Sequence, residues 1–263
     1  MDPWDHIRRA AADTRSGSVG VTLRAAAGMR LLHTRAEQRR AARRLLQAHP
    51  AMAPLWRLIA VAWDADDVEG AVDAYVDSLR AGTDGAADGA RWAVTAPRST
   101  VLTHSSSSSV ADALERVRAR IERVLCTASL PGGEGRPFAR RLSHGGFATE
   151  VVADAAIARA CARADVVLVG ADAVTERAVV NKVGTYPLAL AAREAGIGCY
   201  AIASTHKLLP HRLAPGDEAE AFDAAPLDLF DAVLTERGPR RPAAIRRAVS
   251  RVVIPAAVER LRP

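Results

Sequence analysis

The segment Val166–Thr185, VVLVGADAVTERAVVNKVGT, brings an acid, an amide and a cation into one short stretch. It opens on Val166-Val167-Leu168-Val169, the pattern of a strand buried on both faces. Gly170 ends the run and Asp172 follows. A carboxylate just past the C-terminal end of a buried parallel strand stands where open α/β sheets bind ligands. Asn181 and Lys182 come a few residues later, and Gly184-Thr185 open the next apolar-periodic segment. An acid/base group, a hydroxyl-binding amide, a cation and a helix N-terminus in one loop suit a polar, phosphate-bearing ligand. A lone aspartate after a strand also serves simply to cap a turn.

The serine run Ser105–Ser109 is the second candidate. It follows a strand ending in Thr103-His104 and precedes a helix. Hydroxyls and unpaired N–H groups at a helix N-terminus hold phosphate; an N-cap and polar turn would need only one of the serines. Ser105, Ser106 and Ser107 are the expected ligand contacts, with His104 beside them.

These groups need a scaffold. Residues 1–92 are helical in pattern, with Ala, Leu and Arg at helical spacing over Val21–His49, Pro50–Ala62 and Val68–Ala81. Gly82–Gly89, GTDGAADG, is the best linker candidate. From residue 93 the pattern alternates. Strands are expected near Ser99–Thr103, Ile121–Thr127, Ala148–Val152, Asp165–Val169, Gly198–Ala203 and Ala232–Thr235. Helices are expected near Ser108–Arg120, Gly135–His144, Asp154–Arg163, Val183–Ala195 and Ala243–Leu261. The fold class is therefore α/β: an N-terminal helical domain (1–92) followed by a Rossmann-like parallel-sheet domain (93–263). No GxGxxG fingerprint supports dinucleotide binding, and no cofactor is expected.

Composition narrows the function classes. The 263 residues are 49% hydrophobic but only 4% aromatic, so the core is built from Ala, Val and Leu. There is no run of about 18 apolar residues, so no membrane span is expected. The first residues lack an apolar signal region, and the expected location is cytoplasmic. Cys126, Cys161 and Cys199 are scattered in apolar segments without metal-ligand spacing, which fits buried free thiols. The net charge of +6 comes mainly from arginine, densest in Arg237–Arg251. No aromatic residues interleave that cluster, so nucleic acid is not the expected partner.

Several blocks resemble one family. GAD and NKVGT, the helix Tyr186–Ala195 and GIGCYAIASTHKLLP (Gly196–Pro210) carry the resemblance. Val101-Leu102-Thr103-His104 resembles the family's "ILTH", Gly133-Glu134-Gly135-Arg136 its "EGR", and Leu234-Thr235-Glu236-Arg237-Gly238 its "TExG". The family comprises ribose-1,5-bisphosphate isomerase, methylthioribose-1-phosphate isomerase and the α/β/δ regulatory subunits of translation initiation factor 2B. The blocks run over residues 98–238 in the family's order.

The resemblance implies an aldose–ketose isomerase acting on a phosphorylated pentose, with Asp172 as acid/base. It implies substrate contacts from Asn181, Lys182 and Lys207, and from Arg15 in a segment, Arg15-Ser16-Gly17-Ser18, similar to the family's "RGA". Three departures stand out. Ser105 stands at the isomerases' acid/base cysteine and is the second catalytic candidate beside Asp172, though a hydroxyl is a far weaker acid than a thiol. The family's "ESRP" becomes Thr127-Ala128-Ser129-Leu130-Pro131, losing its glutamate and its arginine. The loop after Asp172 is one residue short, and Arg177 within it is a candidate replacement cation. These departures keep a second reading open, a non-catalytic protein that binds a sugar phosphate or nucleotide as the regulatory subunits resemble, and a third, a translation-factor-like scaffold. A homodimer is expected. The apolar run Ala248–Val258 would lie at its interface or fold back over its own sheet edge.

Overall fold

The structure is a computed structural model, and it describes residues 2–214 and 221–262. Five helices come first: α1 (Pro3–Ala11), α2 (Ser18–Met29), α3 (Arg35–Ala48), α4 (Ala53–Asp64) and α5 (Val68–Asp88). After the short α6 (Ala90–Ala93) the chain alternates. It runs through β1 (Ser99–Thr103), α7 (Ser108–Arg116), β2 (Ile121–Thr127), α8 (Gly135–His144), β3 (Thr149–Val152), α9 (Ile157–Cys161) and β4 (Val166–Val169). A hairpin follows, β5 (Ala173–Val174) and β6 (Ala178–Lys182), then α10 (Thr185–Glu194), β7 (Gly198–Ile202) and β8 (Phe222–Pro226). The chain closes with β9 (Ala232–Thr235), β10 (Gly238–Arg240), α11 (Pro242–Val249) and α12 (Ala256–Glu259).

The main sheet has the order β10-β9-β7-β4-β1-β2-β3, parallel except for β10 at one edge. From β1 the chain builds outward through β2 to β3, then returns and builds the other way from β4. The order therefore reverses between β1 and β4, and the crevice beyond their C-terminal ends is where such sheets bind ligands. The loop after β1 is the serine run, and the loop after β4 leads to Asp172. In β4, Val167 and Val169 pack into one face cluster and Val166 and Leu168 into the other. That alternation is the pleat of a strand covered on both sides.

A second sheet, β5-β6-β8, is antiparallel and was not expected. It moves Asn181 and Lys182 from a loop onto a strand, which fixes their positions.

α5 continues through Gly82 to Asp88, with Gly89 as its C-cap, where the glycine-rich sequence suggests a linker. The glycines form a face, not a break. A Cβ on Gly85 would lie 2.9 Å from the Glu236 Cβ, and one on Gly89 2.8 Å from the Leu234 Cβ. A Cβ on Gly82 would crowd His206 and Ser204. Bare backbone on one side of the helix lets it lie directly on the end of β9, and this contact ties the helical layer to the sheet.

The C-terminal segment makes a second tie. Ile254, Val258 and Leu261 are buried in the same cluster as α1–α5. The chain leaves helix between α11 and α12, so the expected single helix over Ala243–Leu261 is two short ones. Val252 packs inside the chain and only Val253, 80% exposed, is left out. The apolar run thus folds back over its own helical layer, and it no longer supplies the surplus surface that placed a dimer interface there.

Gly89→Val should be overpacked at Leu234 and cost about 1–3 kcal/mol of stability. The midpoint of urea unfolding measures this. An unshifted midpoint would show that α5 does not bear on the sheet at this point.

Candidate functional site

The crevice between β1 and β4 opens into a cavity of about 740 Å³. One wall comes from the helical layer: Arg15 to Val19 at the start of α2, His49 at the end of α3, and Met52. The other comes from the mouth of the sheet: the serine run, Gly132 and Glu134 before α8, Asp172, Asn181, Lys182 and Lys207.

Asp172 is held by its backbone from two sides. Its N–H donates to the Val180 carbonyl at 2.8 Å, and its own carbonyl accepts from the Ala53 N–H, the start of α4, at 3.0 Å. Burial raises the pKa of its carboxyl above the ordinary value; Lys207, Ser18 and His49 oppose the shift without cancelling it. The Ser18 hydroxyl and backbone N–H both face the carboxyl and favour its ionised form. The hydroxyl itself makes no hydrogen bond of ordinary geometry. Lys207 is 4% exposed, and burial lowers its pKa while Asp172 raises it. A carboxyl pushed up and an ammonium pushed down share one cavity floor.

Glu134 accepts from both neighbours at the sheet wall: its Oε1 lies 3.1 Å from the Lys182 Nζ and 3.3 Å from the Ser105 Oγ. Asn181 Nδ2 donates to Thr185 Oγ1 at 3.0 Å, and Thr185 Oγ1 donates to the Lys182 carbonyl at 2.6 Å. Because Thr185 spends its proton on a carbonyl, it must accept from the amide nitrogen. This fixes the Asn181 side chain so that its oxygen remains to accept from a ligand hydroxyl.

Ser105 takes a left-handed backbone, φ 66°, as does Ser129 at φ 62°. Such conformations cost roughly 1–3 kcal/mol each and persist where neighbours hold them. Here the Ser105 N–H donates to Ser129 Oγ at 2.8 Å, and the Ser129 and Leu130 N–H groups donate to the Asp154 carboxylate. Behind them lies a one-way chain. Ser129 Oγ lies 2.9 Å from Thr127 Oγ1, which lies 2.7 Å from His104 Nδ1, and His104 Nε2 lies 2.8 Å from the Val183 carbonyl. A carbonyl only accepts, so Nε2 carries the ring proton and Nδ1 accepts from Thr127. Burial lowers the His104 pKa and keeps the ring neutral. Gly184, φ 105°, makes room for the ring, since a Cβ there would lie 2.5 Å from its Cε1.

Most of the expected site residues meet in this cavity: Asp172, Ser105, Ser106, Ser107, Asn181, Lys182, Arg15 and Lys207 all line it. His104 does not. It is 1% exposed with both nitrogens occupied, so it supports the wall and is not a substrate ligand. Two other expectations change. Arg177 lies exposed in the β5–β6 turn, away from the cavity walls, and supplies no cation to them. The N-terminus of α10 is taken by Asp223, whose carboxylate accepts from the Gly184 and Tyr186 N–H groups. Helix starts that face the cavity include those of α7, capped by Ser107, of α2, whose N-cap Gly17 has no side chain to offer, and of α8, whose N-cap Glu134 makes no side-chain capping bond. Leu130 is exposed and off the cavity, so that turn adds no charge either.

Glu134, Ser18 and His49 were not foreseen as site residues. Glu134 and Ser18 lay inside blocks noted for other reasons, and a closer reading of those blocks could have raised them. Nothing local marks His49, which folding alone brings to Asp172. Among the described residues no group of three or more His, Cys, Asp or Glu is placed to hold a metal. No helix among them is long and apolar enough to cross a membrane.

Residues 39–218 match the model of the initiation factor 2 subunit family. The chain belongs to that family. The match extends into the helical layer, beyond the blocks that carried the resemblance. A translation initiation factor eIF-2B subunit 2-like protein of Pyrococcus horikoshii is 42% identical over 120 residues, 44% of this chain and 43% of that protein. A ribose 1,5-bisphosphate isomerase of Archaeoglobus fulgidus is 30% identical over 165 residues, 53% of each chain. The chain spans about half the length of the curated relatives it matches. The crystal structure of the Pyrococcus horikoshii OT3 translation initiation factor eIF-2B superposes with a TM-score of 0.81 at 24% identity, covering 91% of this chain and 97% of that one. The family fold is thus shared over nearly the whole chain.

Thr127→Val should break the chain behind Ser105 and cost about 1–3 kcal/mol, because it strips a buried nitrogen of its partner. The pH dependence has a definite sign. His104 stays neutral in the fold, whereas in the unfolded chain it takes up a proton below about pH 6.5. The unfolded state therefore binds more protons there, and stability falls as pH falls through that value. His104→Asn should flatten the slope between pH 7.5 and 5.5 in urea midpoints. An equal slope would assign it to other groups, such as the half-buried His206, whose pKa desolvation also lowers.

Proposed function

We propose that this protein is an aldose–ketose isomerase acting on a phosphorylated pentose, ribose 1,5-bisphosphate or a related aldose 1-phosphate, with Asp172 as the acid/base. The observation that carries the reading is Asp172 itself: a carboxyl with a raised pKa, in a cavity whose other lining includes the serine run, Asn181, Lys182, Lys207 and Arg15, with Glu134 and Asp13 as further carboxylates. Opening the sugar ring needs a proton delivered to the ring oxygen, and forming the ketose needs hydrogen moved between C1 and C2. A carboxyl whose pKa is raised by burial is easier to protonate and is suited to proton transfer in both directions. Arg15, the start of α2 and the serine run are suited to the anionic group, and Asn181 to the hydroxyls.

Ser105 is a binding group in this reading. Its hydroxyl points to Glu134, and His104, the nearest imidazole in sequence, has no free nitrogen to activate it. The same observation favours a second reading, a regulatory protein that binds the sugar phosphate or a nucleotide without turning it over. Incubation with a panel of aldose 1-phosphates and detection of the ketose by NMR separates the two. The isomerase reading predicts a ketose product; binding without product favours the regulatory one.

Asp172→Asn should lower the rate by roughly 10²–10⁴ and leave ligand affinity nearly intact. Full activity in that variant would remove Asp172 from the mechanism. Lys207 holds down the Asp172 pKa, so Lys207→Met should move the ionisation of Asp172 in the pH–rate profile to higher pH. A shift to lower pH, or none, would contradict the coupling.

A further inference from the structure

An aldose becomes a ketose only when its C2 hydroxyl gives up a proton, and the groups around the cavity are not equally able to take it. Ser105 is a hydroxyl without a base, and His104 is sealed behind the wall. Glu134 is shared between Lys182 and Ser105. Burial opposes the ionisation of Asp13, but the Ser16 and Arg15 N–H groups and the Arg24 guanidinium outweigh it. They hold its carboxyl at about 2, which makes a poor base for a hydroxyl proton. Lys207 is set against Asp172 and balances its charge.

His49 stands apart from these. It ends α3, where its N–H donates to the Leu45 carbonyl at 2.9 Å. Its ring is buried, with Nε2 2.8 Å from the Ala10 carbonyl in the last turn of α1. A carbonyl only accepts, so Nε2 carries the ring proton and Nδ1 holds the lone pair. That is the tautomer a general base needs: one nitrogen anchored through its proton, the other able to accept. Both nitrogens of His104 are engaged inside the fold, whereas among the described residues His49 engages Nε2 alone. Though buried, His49 lines the cavity on the same helical wall as Arg15 and Ser18, close enough for its charge to act on Asp172.

Resting on the isomerase reading above, we propose that His49 is the second proton-transfer group of this site, the one that takes the proton of the C2 hydroxyl. Asp172 gives its proton to the ring oxygen, and the ring C1–O bond breaks. The Asp172 carboxylate then takes the hydrogen of C2 as a proton, and the electron pair of that C–H bond becomes the C1–C2 double bond of an enol. Asp172 returns this proton to C1, while the C2 hydroxyl loses its own to His49 Nδ1 and its oxygen becomes the ketone carbonyl. The sugar has then gained and lost two protons each. The protein is one proton short at Asp172 and one over at His49, and passing that proton back to the carboxyl resets the site.

His49→Gln tests this in the full protein, because the Gln amide can still donate to the Ala10 carbonyl but takes up no proton. On the panel of aldose 1-phosphates, kcat should fall by roughly 10²–10⁴, with KM and the urea midpoint near those of the wild type. In His49→Gly, added imidazole should restore part of the rate, and across a series of substituted imidazoles the restored rate should rise with their basicity. A side chain that only shaped the wall would be replaced according to size. Wild-type turnover in His49→Gln, or no rise with basicity in His49→Gly, overturns the proposal. If His49→Gln does not fold, the imidazole series decides alone. A wild type that converts none of the sugars overturns the isomerase reading and this proposal with it; an active wild type confines any failure to His49.

Discussion

A carboxylate drawn partly out of water is costly, and the half-buried setting of Asp172 is the constraint on which the rest of this structure depends. Its backbone is tied on one side to Val180 of the small sheet and on the other to Ala53 at the start of α4. Its side chain looks across to Ser18 at the start of α2, with Lys207 and His49 near enough to favour the charge. Those partners come from both layers. Asp172 therefore has its environment only when the helical layer is docked on the sheet. The bare face of α5 and the returning C-terminal segment do that docking, far from the cavity they make possible.

The parallel sheet was legible because it obeys a local rule. A strand covered on both faces must be apolar at every position, and Val166–Val169 and Val101-Leu102 are. The small antiparallel sheet was not legible, because β5 has two residues and the other partner of β6, β8, lies beyond α10 and β7. The glycines of 82–89 misled for a physical reason. Glycine weakens a helix by roughly 1 kcal/mol, so a run of them reads as a break. Here the close approach to Leu234 and Glu236 demands bare backbone, and tertiary contact outweighs propensity.

The site divides in the same way. Groups that follow strand ends, Asp172 and the serine run, were found because sheet topology alone places them. His104 was misjudged because it neighbours Ser105 in sequence, yet alternation along the strand turns it inward to Thr127. Asp223, which closes the α10 start, and His49, which faces Asp172, are distant in sequence from the residues they meet. No spacing rule reaches them. The family resemblance supplied Arg15 and Lys207, which composition and periodicity could not have singled out.

In the proposed isomerase, the opposed shifts of Asp172 and Lys207 bear on how one aspartate could serve as acid and then as base. Burial moves the two pKa values toward each other, so the protonation of each depends on any third charge that enters the cavity. A phosphate bound on the helical wall adds negative charge beside them. It must raise the pKa of Asp172 further and favour the charged form of Lys207. In that proposed reading, ligand binding would favour the protonated form of Asp172, the state an acid needs to protonate a ring oxygen. Once the ring is open, the same group is left as the carboxylate, the state a base needs at the neighbouring carbon. One aspartate can thus take both roles in sequence, provided the anion stays bound beside it throughout. In the proposed isomerase that sequence would make the placement of the phosphate a condition of catalysis as well as of affinity, and it would ask only binding of Ser105.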